Sequence, residues 1–160
     1  MATLDERTDQ KLRARYARIA DQLAALYAKV DDPLSRMASA AAVLHAKMPH
    51  FFWTGFYRLQ AGDLLVGPYQ GPLACMLLER HKGVCWAAVE RNELVHVPDV
   101  HAFEGHIACD ARSASEVVVP VRDAQGTLVA VLDVDSEKPD AFSQADLDGL
   151  GTIAELIYGS

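Results

Sequence analysis

Apolar residues fall three or four apart from Thr8 to Val30, at Leu12, Tyr16, Ile19, Leu23, Leu26 and Tyr27, which predicts a helix with one apolar stripe. Asp31-Asp32-Pro33 stops it and caps a second helix over Pro33 to Lys47, where Leu34, Met37, Ala41 and Leu44 pack among small alanines until Pro49 ends the run. From His50 to Leu59 the period changes to two. Trp53, Gly55 and Tyr57 share one strand face, and Phe52, Thr54 and Phe56 share the other. Both faces are largely apolar, as expected of a central strand covered on both sides.

A turn at Gly62 returns the chain as a strand over Leu64 to Val66, which Gly67-Pro68-Tyr69-Gln70-Gly71-Pro72 breaks. A short strand over Leu73 to Leu77 carries Cys75, a helix runs from Gly83 to about Asn92, and Glu93 to Val97 is another short strand. The connection from Asp99 to Ser113 is long for a compact domain, and loops of that length tend to be functional. Glu116 to Val121 and Thr127 to Val134 form a β-branched hairpin about a polar turn at Asp123 to Gly126. Ser143 caps a last helix to Tyr158, with Asp146 where a capping-box acid belongs.

The order αα-ββ-β-α-β-ββ-α lacks regular strand-helix alternation, so the predicted fold is α/β of the α+β kind, an antiparallel sheet with helices packed on its faces. A length of 160 residues predicts one domain, with N-terminal helices over about 8–48, sheet and site loops over about 50–136 and a C-terminal helix over about 143–158.

A net charge of -7 argues against nucleic-acid and anionic-membrane partners, which draw on excess Lys and Arg. Arg13, Arg15 and Arg18 read as the solvated face of the first helix. No apolar run reaches the roughly 18 residues of a membrane span, and the polar segment from Ala2 to Lys11 does not fit a signal peptide, so a cytoplasmic protein is expected. In that reducing compartment three cysteines do not make a structural disulfide framework, and a cytosolic disulfide is usually catalytic or redox-sensing.

The segment from Cys75 to Glu116 holds Cys75, Cys85 and Cys109 together with His96, His101 and His106. Gly105-His106-Ile107-Ala108-Cys109-Asp110 sets one thiol in a weakly apolar loop, a setting that favours exposure. His101, His106 and Cys109 match none of the usual structural-zinc spacings, so neither a metal nor a cofactor is expected. Asp133 and Asp135 share one strand face. A turn-capping role at the strand end is their plain explanation, but carboxylates between valines are costly to bury unpaired, which tilts them toward function.

Gly67-Pro68-Tyr69-Gln70-Gly71, Ala74-Cys75, Gly83-Val84-Cys85, Asp99-Val100-His101, the Gly105 to Asp110 motif, Ser115-Glu116, Pro120 and Leu132-Asp133-Val134-Asp135-Ser136 together resemble the free methionine-(R)-sulfoxide reductases. These are GAF-domain oxidoreductases, and the resemblance runs from about Trp53 to the C-terminus. It implies a GAF-like fold and reduction of free methionine (R)-sulfoxide to methionine. Cys109 would be the nucleophile that becomes a sulfenic acid, Cys75 the thiol that resolves it, and Cys85 an alternative or auxiliary partner. Glu116, Asp133 and Asp135 match carboxylates near the substrate, and Trp53 matches an aromatic packed on its methyl end. The disulfide would be recycled by thioredoxin. Many GAF domains pair through terminal helices, which is compatible with a homodimer. Trp86 departs from the pattern, since a small residue is expected after Cys85.

The chemistry agrees with these residue types. Reducing a sulfoxide requires a soft nucleophile at sulfur and a proton for the departing oxygen, which a thiolate and a protonated carboxylic acid supply. Clustered like charges keep one carboxyl protonated, making Asp135 or Glu116 the expected donor, while another stays ionised for the substrate's ammonium group. The rivals are a GAF sensor that binds a small molecule without turnover and a redox switch whose disulfide alters partner binding.

Overall fold

The computed structural model describes residues 1–106 and 109–159 of the chain. Helix α1 (Leu4–Tyr27) begins one turn before its apolar stripe, because Thr3 and Glu6 form a capping box that periodicity alone does not register. Asp32 caps α2 (Pro33–Lys47) by accepting from the Ser35 N–H, with Pro33 in the first turn. Strands β1 (Trp53–Gln60), β2 (Asp63–Gln70) and β3 (Leu77–Leu78) follow, then α3 (Gly83–Arg91), β4 (Val95–Val97) and a 3-10 turn (Val100–Ala102). Strands β5 (Ser115–Arg122) and β6 (Leu128–Ser136) form the predicted hairpin, and α4 (Gln144–Leu156) ends the fold. Among the described residues no helix is long and apolar enough to cross a membrane.

The strands pair antiparallel throughout, in the order β3-β2-β1-β6-β5-β4. Two expectations fail in β2 and β3. Strand β2 does not stop at Val66 but continues to Gln70, because a register shift opposite Gly55 to Tyr57 absorbs Gly67-Pro68. Cys75 does not ride in a strand, since only Leu77 and Leu78 pair with β2 and the chain before them is irregular.

Helices α2 and α4 cover one face of the sheet, with α1 packed outside them, around a core that includes Leu23, Leu44, Phe56, Val119, Leu132 and Ile153. Helix α3 covers the other face around Tyr57, Leu64, Val84, Trp86, Val118 and Val131. Strand β1 is therefore the two-sided strand its pattern predicts. The buried Asp146 joins the layers: it accepts from the Ser143 N–H at 3.0 Å, from the Tyr16 hydroxyl at 2.6 Å and bonds His50 Nε2 at 3.0 Å.

Candidate active site

Strand register assembles the site. Pairing sets Trp53, Asp135 and Glu116 in one row across β1, β6 and β5, and Gly55, Asp133 and Val118 in the next. Alternation sends Val117 and Val134 to the opposite core, so the three acids all point toward α3. Above them opens a cleft of about 610 Å³, counting its mouth, lined also by Tyr57, Cys85, His106, Cys109 and Ser113.

Trp53 walls one side. Its Nε1–H donates to the Pro72 carbonyl at 3.1 Å, and its ring stacks between Tyr57 and Tyr69 at centroid distances of 5.8 and 5.2 Å. The indole has this room because residue 55 is glycine: a Cβ there would strike both Trp53 Cη2, at 2.6 Å, and the Tyr69 side chain. The Tyr57 hydroxyl in turn donates to the Cys75 carbonyl at 2.9 Å, fixing the cysteine segment to the sheet. Phe52, expected on the Thr54 face, instead precedes β1 and lines the cleft, with the Arg112 guanidinium 4.7 Å from its ring centroid.

Glu116 and Asp133 are buried at 6% and 5% exposure. Burial first and the negative charge of Asp135 second raise Glu116 to about 8, so it carries a proton at neutral pH. Burial and Glu116 push Asp133 well above the carboxylate range, and burial and Asp133 do the same to Asp135. The Ser113 hydroxyl, donating to Asp135 Oδ1 at 2.5 Å, opposes that shift. His106 Nε2 lies 3.4 Å from Glu116 Oε1. Burial lowers the imidazole's pKa while Glu116 is raised, so a neutral acid–imidazole contact describes this pair better than an ion pair.

Cys75 and Cys109, 34 residues apart, are joined in a disulfide with a Cα–Cα distance of 5.6 Å. Cys109 is exposed at the cleft and Cys75 half-buried. Next to it, the Asp110 carboxylate grips the Arg112 guanidinium at 2.8 and 3.0 Å, which holds Asp110 down at about 2. Ile107 and Ala108 of the Gly105 to Asp110 motif lie outside the described residues.

A GAF-domain family model matches residues 28–158. The free methionine-R-sulfoxide reductase of Escherichia coli is 39% identical over 135 residues, covering 84% of this chain and 81% of that protein. The chain belongs to the free methionine-R-sulfoxide reductase family. Its fold is likewise close to the free methionine-R-sulfoxide reductase of Neisseria meningitidis solved with its substrate, at a TM-score of 0.86 and 36% identity over 91% of this chain and 87% of that one. The fRMsr of Staphylococcus aureus, also solved with substrate, gives 0.83 and 36% over 89% and 93%.

Within this oxidoreductase family's fold, the residues that the resemblance implies for the site all reach the cleft: Cys75 through the disulfide, and Trp53, Cys85, Cys109, Glu116, Asp133 and Asp135 directly. Cys85 stands apart from the pair. It is a free, buried thiol on α3, raised far above the usual range by burial and by Asp133. Trp86 is buried beside it, 5.3 Å from the His81 ring, and is absent from the cleft lining, so it takes no space there. His101, His106 and Cys109 are not gathered into one set, because His101 is exposed and does not line the cleft with the other two. Ser113, Tyr57 and Phe52 were not legible as site residues. Their partners are distant in sequence or lie on backbone, and the only signal was Ser113 closing the long connection after Asp99.

Proposed function

We propose that the protein reduces free methionine (R)-sulfoxide to methionine, with Cys109 as nucleophile and Cys75 as resolving thiol. The observation that supports this most is the Cys75–Cys109 bond beside a cleft floored by the buried carboxyls of Glu116 and Asp133 and the half-buried one of Asp135. In the reduced protein the Cys109 thiolate attacks the sulfoxide sulfur while Glu116, raised to about 8, gives its proton to the oxygen. Oxygen passes to the cysteine sulfur, methionine departs keeping the sulfur electron pair, and Cys109 is left as a sulfenic acid. Cys75 attacks that sulfur, water leaves with the thiol proton, and the disulfide closes. Two thiols thus supply the two electrons that the sulfoxide takes.

Asp133 and Asp135 receive the substrate's ammonium group, whose positive charge offsets their mutual repulsion and favours their ionised forms. That requirement selects a free amino acid, because a methionine inside a peptide has no ammonium to offer. Trp53 packs on the methyl end. Preference for the R epimer rests on the family. Thioredoxin, a cytoplasmic dithiol, then reduces the disulfide at the exposed Cys109.

The test is to incubate reduced protein with the R and S epimers separately under thioredoxin recycling and to follow methionine formation for the wild type and Cys109→Ser. The expected result is turnover of the R epimer alone, abolished in the variant. No turnover of either epimer, in protein with free thiols confirmed, overturns the proposal and leaves a binding module with a redox-sensitive pair.

A further inference from the structure

The floor of the cleft joins a thiol that the proposed reaction does not use, Cys85, to two of its carboxyl groups. Cys85 Sγ, a Glu116 carboxylate oxygen and an Asp133 carboxylate oxygen lie within 4.8 Å of one another. All three residues are buried, Asp133 lines the cleft, and its Oδ1 has no hydrogen-bond partner among the described residues. A carboxylate oxygen buried without a partner is costly, and a divalent cation would compensate it. We propose that these residues form a binding site for a borderline-soft divalent cation of the zinc class, held by the Cys85 thiolate, Glu116 and Asp133.

The donor chemistry selects the class of ion. Magnesium and calcium take oxygen ligands throughout and have no use for a thiolate, whereas zinc accepts sulfur and carboxylate together in a tetrahedral set. Ligand bonds of about 2.0–2.3 Å separate ligand atoms by roughly 3.5 Å, within reach of the present spacing after small rotamer changes. The three ligands come from α3, β5 and β6, elements whose backbones the sheet and its core hold fixed. His106, 3.4 Å from Glu116, stands beside the fourth position, which otherwise takes water. On binding, the thiol proton and any carboxyl proton pass to solvent and no electrons move. None of the ligands is Cys75 or Cys109, so the site persists in the disulfide form. On the function proposed above, ion and substrate ammonium use the same Asp133 and exclude one another; that clause alone rests on that function.

Oxidised full-length protein, its Cys75 and Cys109 sulfurs blocked, is titrated with Co²⁺ as probe. Stoichiometric binding is expected with a thiolate-to-cobalt charge-transfer band that Zn²⁺ abolishes by displacement. Cys85→Ser, checked for a wild-type circular dichroism spectrum, should bind without that band, and Asp133→Asn and Glu116→Gln should each weaken Zn²⁺ by about tenfold or more. Absence of the band in the wild type, or its persistence in Cys85→Ser, overturns the site, as does wild-type Zn²⁺ affinity in both carboxyl variants. Free methionine sulfoxide added to the cobalt form should bleach the band. If the band stays while its dependence on Cys85 holds, the exclusion is overturned and the metal site stands.

Discussion

At the scale of one residue, the proposed chemistry turns on Glu116. Held at about 8, it is protonated through neutral pH and loses its proton above, so the single-turnover rate of sulfoxide reduction is expected to fall on the alkaline side of about 8. Glu116→Gln should cost about 10²- to 10⁴-fold in that rate and erase the alkaline fall, as measured by stopped-quench assays across pH. A variant with the wild-type rate and profile would show that another group donates the proton. Asp133 and Asp135 were readable from the sequence because period-two alternation sets them on one strand face within an apolar strand, whereas Glu116, at the start of its strand, was marked only by the family resemblance. The state of Cys85 was not, since burial on α3 and the approach of Asp133 arise only when helix and sheet close on each other.

At the scale of elements, β1 sets Trp53 in the wall of the cleft and depends on Gly55 to do it. Gly55→Ala would drive a methyl into the Trp53 indole and the Tyr69 side chain, so a loss of about 1–3 kcal/mol in denaturant unfolding is expected, together with a raised KM. Wild-type stability and KM would refute that role for the glycine. The long amphipathic helices, β1 and the β5–β6 hairpin were legible because their apolar periods are sustained and their caps local. Strand β2 beyond Val66 was not, because Gly67-Pro68 reads as a breaker until the register shift opposite β1 accommodates it. The position of Cys75 was obscured for the opposite reason: the apolar run Leu73 to Leu78 looks like a strand, yet only its end finds a partner.

For the whole molecule, the two buried carboxyls of Glu116 and Asp133 oppose stability, and on the proposed function that is the cost of the site. Glu116 shifts from 4.5 to about 8 on folding, so the native state holds a proton that the unfolded chain releases. Its contribution is complete below about 4.5 and is lost as pH rises through about 8, and unfolding midpoints should decline across that window. Asp133→Asn should flatten the decline and add about 1–3 kcal/mol near neutral pH while weakening substrate binding; a variant no more stable than the wild type would contradict this. If Cys109 takes the oxygen and Cys75 resolves it, Cys75→Ser carried through a single turnover with the R epimer and a sulfenic-acid trap should stop at the sulfenic acid. One equivalent of methionine with the trap on Cys109 alone is the predicted result, against an intramolecular disulfide and no trapping in the wild type. A trap on Cys85, or no methionine formed, would contradict it.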